Sequence, residues 1–438
     1  MKKIFASLKF HNYRLWFFAA IVANVGTWMQ RIAQDWLVYH ELSGGSAFSV
    51  GIVTALQFIP VLLISPWAGV LADRLDRRRL LITTQACMGL LALSLGSMTI
   101  TGVVEIWHVY VFALLLGTVT AFDNPGRQIF VSDLVPENRL ANDVSLNSAS
   151  FNAARLVGPG VAGILIALVG TGWVFLINAV SFLATILAML VMRKLEFQKL
   201  TRVKRGRGQL RQGLGYISKR SDIMVILMVI GVASMLGLNF QITSAAMAVE
   251  EFGKDATEYG ILGSIMAIGS LSGALMTARR EHPRVRLVVI YAALFGFFLV
   301  IQAFMPTYFL YAAMCIPVGW SALSMMTSAN GAVQISTAPE IRGRVMAIYM
   351  TVFLGATPIG SPIIGWVAEH LGARWAVGIG GMAVLGIALA AWIWTASHWK
   401  YRIRYSKTRR LGLSVVYQKS ERKSTGCACQ NQPKVIVA

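Results

Sequence analysis

The sequence predicts an all-α polytopic membrane protein with twelve transmembrane helices, and three observations lead there. Of 438 residues, 56% are hydrophobic and 13% charged, with a mean hydropathy of +0.62, a composition that cannot be arranged as an ordinary soluble domain. Apolar runs of about 20 residues, enough to cross about 30 Å of hydrocarbon, recur along the whole chain. The second half of the chain also echoes the first at a nearly constant offset, as a duplicated unit does.

In chain order the spans fall at 14–40, 49–72, 80–101, 106–133, 143–168, 173–192, 222–250, 258–279, 286–304, 308–335, 345–370 and 375–397. The clearest echo is "PENRLANDV" at 136–144, which returns as "PEIRGRVMA" at 339–347, with Pro136 and Pro339, Glu137 and Glu340, Arg139 and Arg342 each 203 residues apart. The same offset lays "VGPGVAG" (157–163) on "GSPIIGW" (360–366), and so Pro159 on Pro362. A degenerate echo of "GVLADRLDRRRL" (69–80) is "GALMTARREHPR" at 273–284. The expected organisation is an N-terminal six-helix bundle (1–192), a basic linker (193–221), a C-terminal six-helix bundle (222–397) and a basic tail (398–438). Two parallel six-helix repeats about the membrane normal are an architecture of secondary transporters.

Charge gives the orientation, because cytoplasmic loops hold the excess of Lys and Arg. With residue 1 inside, 35 of the 40 Lys and Arg fall on the cytoplasmic side, Lys254 and Arg374 on the other, and Arg31, Arg127 and Arg155 inside spans. Both termini are therefore expected in the cytoplasm of a bacterium, the spans in its inner membrane. The net charge of +21 reads as topology and attraction to anionic headgroups, not as a nucleic-acid surface. The first span is too long for a signal peptide and lacks a cleavage site. Cys87 and Cys315 read as small apolar fillers of spans, while Cys427 and Cys429 in "GCACQ" sit in a polar tail expected to be unstructured. The glycines of "RGRGQLRQGLG" (205–215) follow no strand and form no phosphate loop. An amphipathic helix along the inner headgroups is the reading there, and energy is expected from an ion gradient, not ATP. No cofactor, metal ligand set or catalytic grouping is expected.

Charges inside the spans are few and expensive, about 2.5 to 3.5 kcal/mol for a central one. Arg31 and Asp35 stand four apart in span 1, and Asp123 and Arg127 do the same in span 4 around Pro125, so each pair shares a helix face. Each pair reads equally as internal neutralisation or as working machinery. Arg155 in span 5 has no acid at helical spacing and needs either a partner from another helix, such as Asp123, or an anionic group on a substrate. Asp35 is the first candidate for a proton carrier and Asp123 the second. Asn24, Gln57, Asn178, Asn239, Gln241, Asn330 and Gln334 are candidates for lining a cavity, with helix-to-helix hydrogen bonding as the alternative. Trp16, Trp36, Trp107, Trp173, Trp375 and Trp399 lie near span ends and read as interfacial anchors.

The dense cluster in "GVLADRLDRRRL" resembles the signature loop between helices 2 and 3 of the major facilitator superfamily, with Gly69, Asp73, Arg74, Arg77 and Arg78 in place and Asp76 where a Gly is usual. "GTWMQRIAQDWLVY", "AFDNPGRQIFVSDLVP", "LNSASFNAARLVGPGVAG" and "IRGRVMAIY" more narrowly resemble the branch of enterobactin exporters and secretion effectors. The resemblance implies a transporter working by alternating access, coupled to protons, monomeric, and no enzyme. It also implies a latch from Asp73 to the start of span 11 near Gly343 and Arg344, and from Arg77 to Asp133. Gly158 and Pro159 fall where exporters carry a helix 5 motif, which favours export of a small organic molecule such as a siderophore, a macrolide or another drug. An importer of the same fold and a non-transporting receptor are the alternatives.

Overall fold

Twelve helical spans cross the molecule in a computed structural model that describes residues 6–132, 134, 140–193, 209–278, 285–338, 341–398, 401–405 and 413–417. The first six are α1 (His11–Trp36), α2 (Ala47–Arg74), α3 (Arg77–Ile100), α4 (Ile106–Ser132), α5 (Leu140–Val169) and α6 (Thr171–Val191). A short amphipathic α7 (Gln209–Ile217) lies in the linker. The second six are a broken span built on α8 (Ser221–Val232) and α9 (Phe240–Ala246), then α10 (Ala256–Ala278), α11 (Val285–Ala303), α12 (Tyr308–Ser336), α13 (Arg342–Leu371) and α14 (Ala373–His398). Among the described residues, 11 spans are long and apolar enough to cross a membrane. The one left out is α1, which carries Asn24, Gln30, Arg31, Gln34 and Asp35. Prolines at 125, 159, 317, 358 and 362 sit inside helices, as neighbouring helices allow in a bilayer protein.

Packing repeats between the halves. In the first, α2 packs on α4, α3 on α6, and α1 on α5 and α6; in the second, α10 packs on α12, α11 on α14, and the broken span on α13 and α14. The halves meet through two equivalent contacts, α2 with α13 and α5 with α10. Small residues make the approach possible. A Cβ on Gly51 would stand 2.6 Å from the Ser361 carbonyl oxygen, and one on Gly260 would strike the Pro159 carbonyl. Both contacts lie toward the end of the bundle away from the basic loops, called here the far end.

Three features depart from the sequence reading. The first span does not end as an α-helix but widens into a π turn at Leu37–Leu42. Its counterpart, expected as one helix over 222–250, is interrupted by π turns at Ala233–Gly237 and Met247–Glu251, with irregular backbone at Leu238 and Asn239. Hydropathy periodicity does not register such breaks, because apolar content is unchanged across them. The tail carries a short antiparallel hairpin, β1 (Tyr401–Tyr405) with β2 (Leu413–Tyr417). Cys427 and Cys429 lie outside the described residues.

Candidate functional site

Asp123 and Arg127, one turn apart on α4, form a polar knot in which the carboxylate is held from three sides. Thr84 donates its hydroxyl to Asp123 Oδ1 at 2.7 Å, Gln85 donates Nε2 to the same oxygen at 2.8 Å, and Arg127 Nε donates to Oδ2 at 3.2 Å. Arg127 also reaches Asn24 Oδ1 at 3.4 Å and lies over the Trp16 ring. Asp123 is therefore committed to α3 and its own helix, and it does not reach Arg155. Trp16, read from sequence as an interfacial anchor, is 1% exposed and packs edge-on against Phe130, and Trp36 is buried at 6%. Indoles of this size fill the gap between helices when a cation or ring is there to meet them. Trp107, Trp173 and Trp375 are about half exposed at 53%, 51% and 52%, and Trp399 lies outside the described residues.

Arg31, Asp35 and Arg155 are arranged differently. Asp35 is 6% exposed, and its Oδ2 accepts a long hydrogen bond of 3.4 Å from the Tyr259 hydroxyl on α10, in the other half. Trp36 stacks on the Tyr259 ring beside it. Arg31 points away from this joint, with its guanidinium 5.3 Å from the Trp28 ring centre and 5.8 Å from that of Phe58 on α2. Arg155, on α5, approaches the same Trp28 ring at 5.7 Å. Two arginines thus converge on one indole at the α1–α5 contact. Gly158 makes this possible, since a Cβ there would lie 2.6 Å from Trp28 Cβ. A cleft of about 210 Å³ opens one turn nearer the basic end, lined by Asn24, Arg127, Asn147, Phe151 and Asn152. Its Phe151 packs against Trp28.

At the far end a row of hydrogen bonds joins the halves. Tyr39 donates to Glu250 Oε1 at 2.5 Å, linking the π turn of the first span to that of its counterpart. Ser46 donates to Glu369 Oε2 at 2.8 Å, and the Gly160 amide donates to Ser264 Oγ at 3.0 Å.

A model of the transmembrane secretion effector family matches residues 2–409. The chain belongs to that family, within the major facilitator superfamily. Its curated relatives include a staphyloferrin A transporter of Staphylococcus aureus, 24% identical over 385 residues, spanning 86% of this chain and 94% of the relative. The multidrug efflux pump Tap of Mycolicibacterium fortuitum is 26% identical, with 81% and 88% covered. Macrolide efflux protein A of Streptococcus pyogenes is 22% identical, with 87% and 96% covered. Among solved structures, a bacterial homologue of the lysosomal transporter Spinster, inward-facing and unoccupied, superposes with a TM-score of 0.64 at 13% identity over 87% of this chain and 95% of that one. A variant of the nucleoside transporter NupG gives 0.68 at 14%, with 87% and 99% covered. The protein is a multi-pass membrane transporter of small molecules.

In this secretion effector, the motif residues take the following places. Gly69, Asp73 and Arg74 form the last turns of α2; their side chains, and all of Asp133, lie outside the described residues. Arg77 opens α3. Arg78 donates to the carbonyls of Met189 and Leu190 at 2.8 and 3.1 Å, satisfying the free end of α6. Asp76, which stands where the superfamily has Gly, keeps the turn short by capping α3, accepting from the Arg79 amide at 3.1 Å. Gly158 and Pro159 seat α5 against α1 and α10. Asn239 and Asn178 serve as helix-to-helix hydrogen bonders, to Ser361 at 2.8 Å and to Gln30 respectively, whereas Asn24 lines the cleft. Sequence reasoning missed Trp28, Tyr259, Thr84 and Gln85, which come from other turns or helices. Trp28 does stand inside the quoted "GTWMQRIAQDWLVY".

Proposed function

We propose that the protein is a secondary exporter of the bacterial cytoplasmic membrane, monomeric, with both termini inside, moving a small organic molecule outward in exchange for protons. The basic end is then cytoplasmic and the far end external. The observation that carries the coupling is Asp35, an acid of the first half held at the joint with Tyr259 of the second. Burying a neutral carboxyl costs less than burying a carboxylate, so proton binding favours closure of the far end and return of the empty carrier. Release of the proton to the cytoplasm primes the outward stroke. Bundles 1–192 and 222–397 would rock against each other across the two glycine-lined contacts, tethered by 193–221. Efflux by Tap and macrolide efflux protein A supports the direction.

Everted membrane vesicles energised by respiration test this, with a pH-sensitive acridine dye reporting the gradient. A macrolide, siderophore or other drug that is a substrate should dissipate the gradient, and Asp35→Asn should abolish the dissipation while leaving the protein in the membrane. Full dissipation with Asp35→Asn would remove Asp35 as the proton carrier, and uptake confined to right-side-out vesicles would make the protein an importer. Reporters fused after Ala438 and within 200–210 should be active in the cytoplasm only. Activity outside at either place would overturn the twelve-span topology.

A further inference from the structure

Among the described residues, the other partly buried arginines are provided for. Arg127 has Asp123, Arg220 has Asp222 at 2.6 Å, Arg374 has Glu251 at 2.7 Å, Arg344 has Gln212 at 2.6 Å and Arg78 has two carbonyls. Arg31 and Arg155 are the exceptions among the partly buried arginines. Neither has a hydrogen bond or an ion pair among the described residues, and what each has is the face of Trp28. Asp35, one turn along α1, feels the Arg31 charge but bonds to Tyr259, and the two guanidiniums repel each other across the indole. Two cations held together within a membrane protein with one displaced acid leave a net positive charge and ten unused N–H donors.

We infer that Arg31, Arg155 and Trp28 form an anion-binding site, and that the transported molecule carries a carboxylate or comparable oxyanion on an apolar or aromatic body. Two guanidinium forks match a planar oxyanion bidentately. Phe151, packed on Trp28 and lining the adjacent cleft, offers the surface for the body. The inference names the substrate class of the proposed transporter and rests on that reading only for the word substrate, since the site can be measured with no transport at all.

The test uses the full chain in nanodiscs of phosphatidylcholine, with iodide as an anionic quencher of indole fluorescence and acrylamide as a neutral one. The signal of interest is the component lost in Trp28→Phe. Iodide should quench that component about tenfold more efficiently, relative to acrylamide, than it quenches a free indole, as a one-sign cleft concentrates counter-ions. Propane-1,2,3-tricarboxylate should suppress the excess and its triamide should not. Arg31→Gln and Arg155→Gln should each remove most of the excess, with acrylamide quenching unchanged, and Arg155→Lys should keep part of it. No iodide preference, or a preference that persists in both Gln variants, overturns the site. Loss of the preference when phosphatidylglycerol is added would assign the site to a lipid headgroup and overturn the substrate class. If iodide enrichment stands while no compound moves protons in vesicles, the coupling reading fails and the site does not.

Discussion

The two halves build the same joint and furnish it differently. In the first, span 1 meets span 5 where Gly158 receives Trp28; in the second, the broken span meets α13 where Gly360 receives the Met235 backbone. Around the second contact Ser234 and Asn239 are answered within the protein. Ser234 donates to the Phe353 carbonyl at 2.5 Å and lies 3.3 Å from the Thr357 hydroxyl. Asn239 bonds the Met235 carbonyl and Ser361, both at 2.8 Å. Around the first contact stand Arg31 and Arg155, answered by an indole. The 203-residue offset puts Pro358 opposite Arg155, so the second copy has no cation there. The duplication supplies a scaffold twice, and among the described residues the partly buried cations without a polar partner stand in one copy only. A joint whose polar groups are paired is a hinge; one with idle cations is a place for a ligand.

The largest expected effect separates paired from unpaired charge within the first half. Asp123→Ala leaves Arg127 without its acid and should lower unfolding stability by about 3 to 5 kcal/mol, read as a fall in the thermal transition of the purified protein. Arg155→Gln, by contrast, should leave that transition unchanged or raise it while abolishing transport, because a repulsive charge is removed. Equal destabilisation by the two would erase the distinction. Next, Gly158→Leu and Gly360→Leu should each cost at least about 1 to 3 kcal/mol from overpacking, Gly360→Leu the more, since a Cβ there would lie 1.6 Å from the Met235 carbonyl oxygen whereas one on Gly158 would lie 2.6 Å from Trp28 Cβ. No cost at one of them would break the equivalence of the joints. The smallest effect belongs to Ser234→Ala, about 1 kcal/mol for one lost hydrogen bond, with transport retained. Transport lost at unchanged stability would place a ligand contact in the second half as well.

Much of this architecture was legible in the sequence. Eleven of the twelve spans follow from length and apolarity, α1 being the exception, and the 203-residue echo aligned Pro159 with Pro362, which the structure places in matching cross-half contacts against Gly260 and Gly51. Spacing also put Asp123 with Arg127. It could not show that Asp123 has two further donors on α3, nor that Asp35 faces Tyr259, since those partners lie 38 to 224 residues away in the chain. The same limit misled the reading of Trp16 and Trp36: position near a span end locates a ring along the membrane normal but not around the helix. The π turns were invisible for a different reason, because a change of winding leaves hydrophobicity untouched while redirecting Tyr39 toward Glu250.

The idle cations also bear on voltage. Empty and with Asp35 protonated, as on the return stroke, the cluster of Arg31 and Arg155 carries two positive charges; filled by a monovalent anion with Asp35 ionised, it is neutral. If the cluster crosses part of the membrane field as the halves rock, the loaded outward stroke is electrically silent and the empty return stroke is drawn toward the negative interior, with up to about 2.3 kcal/mol available per charge per 100 mV. The electric potential would then speed the step that carries nothing. Imposing an inside-negative potassium diffusion potential on right-side-out vesicles preloaded with an anionic substrate should therefore accelerate turnover but not the first round of release, and equal acceleration of both would place the charge movement in the loaded stroke instead.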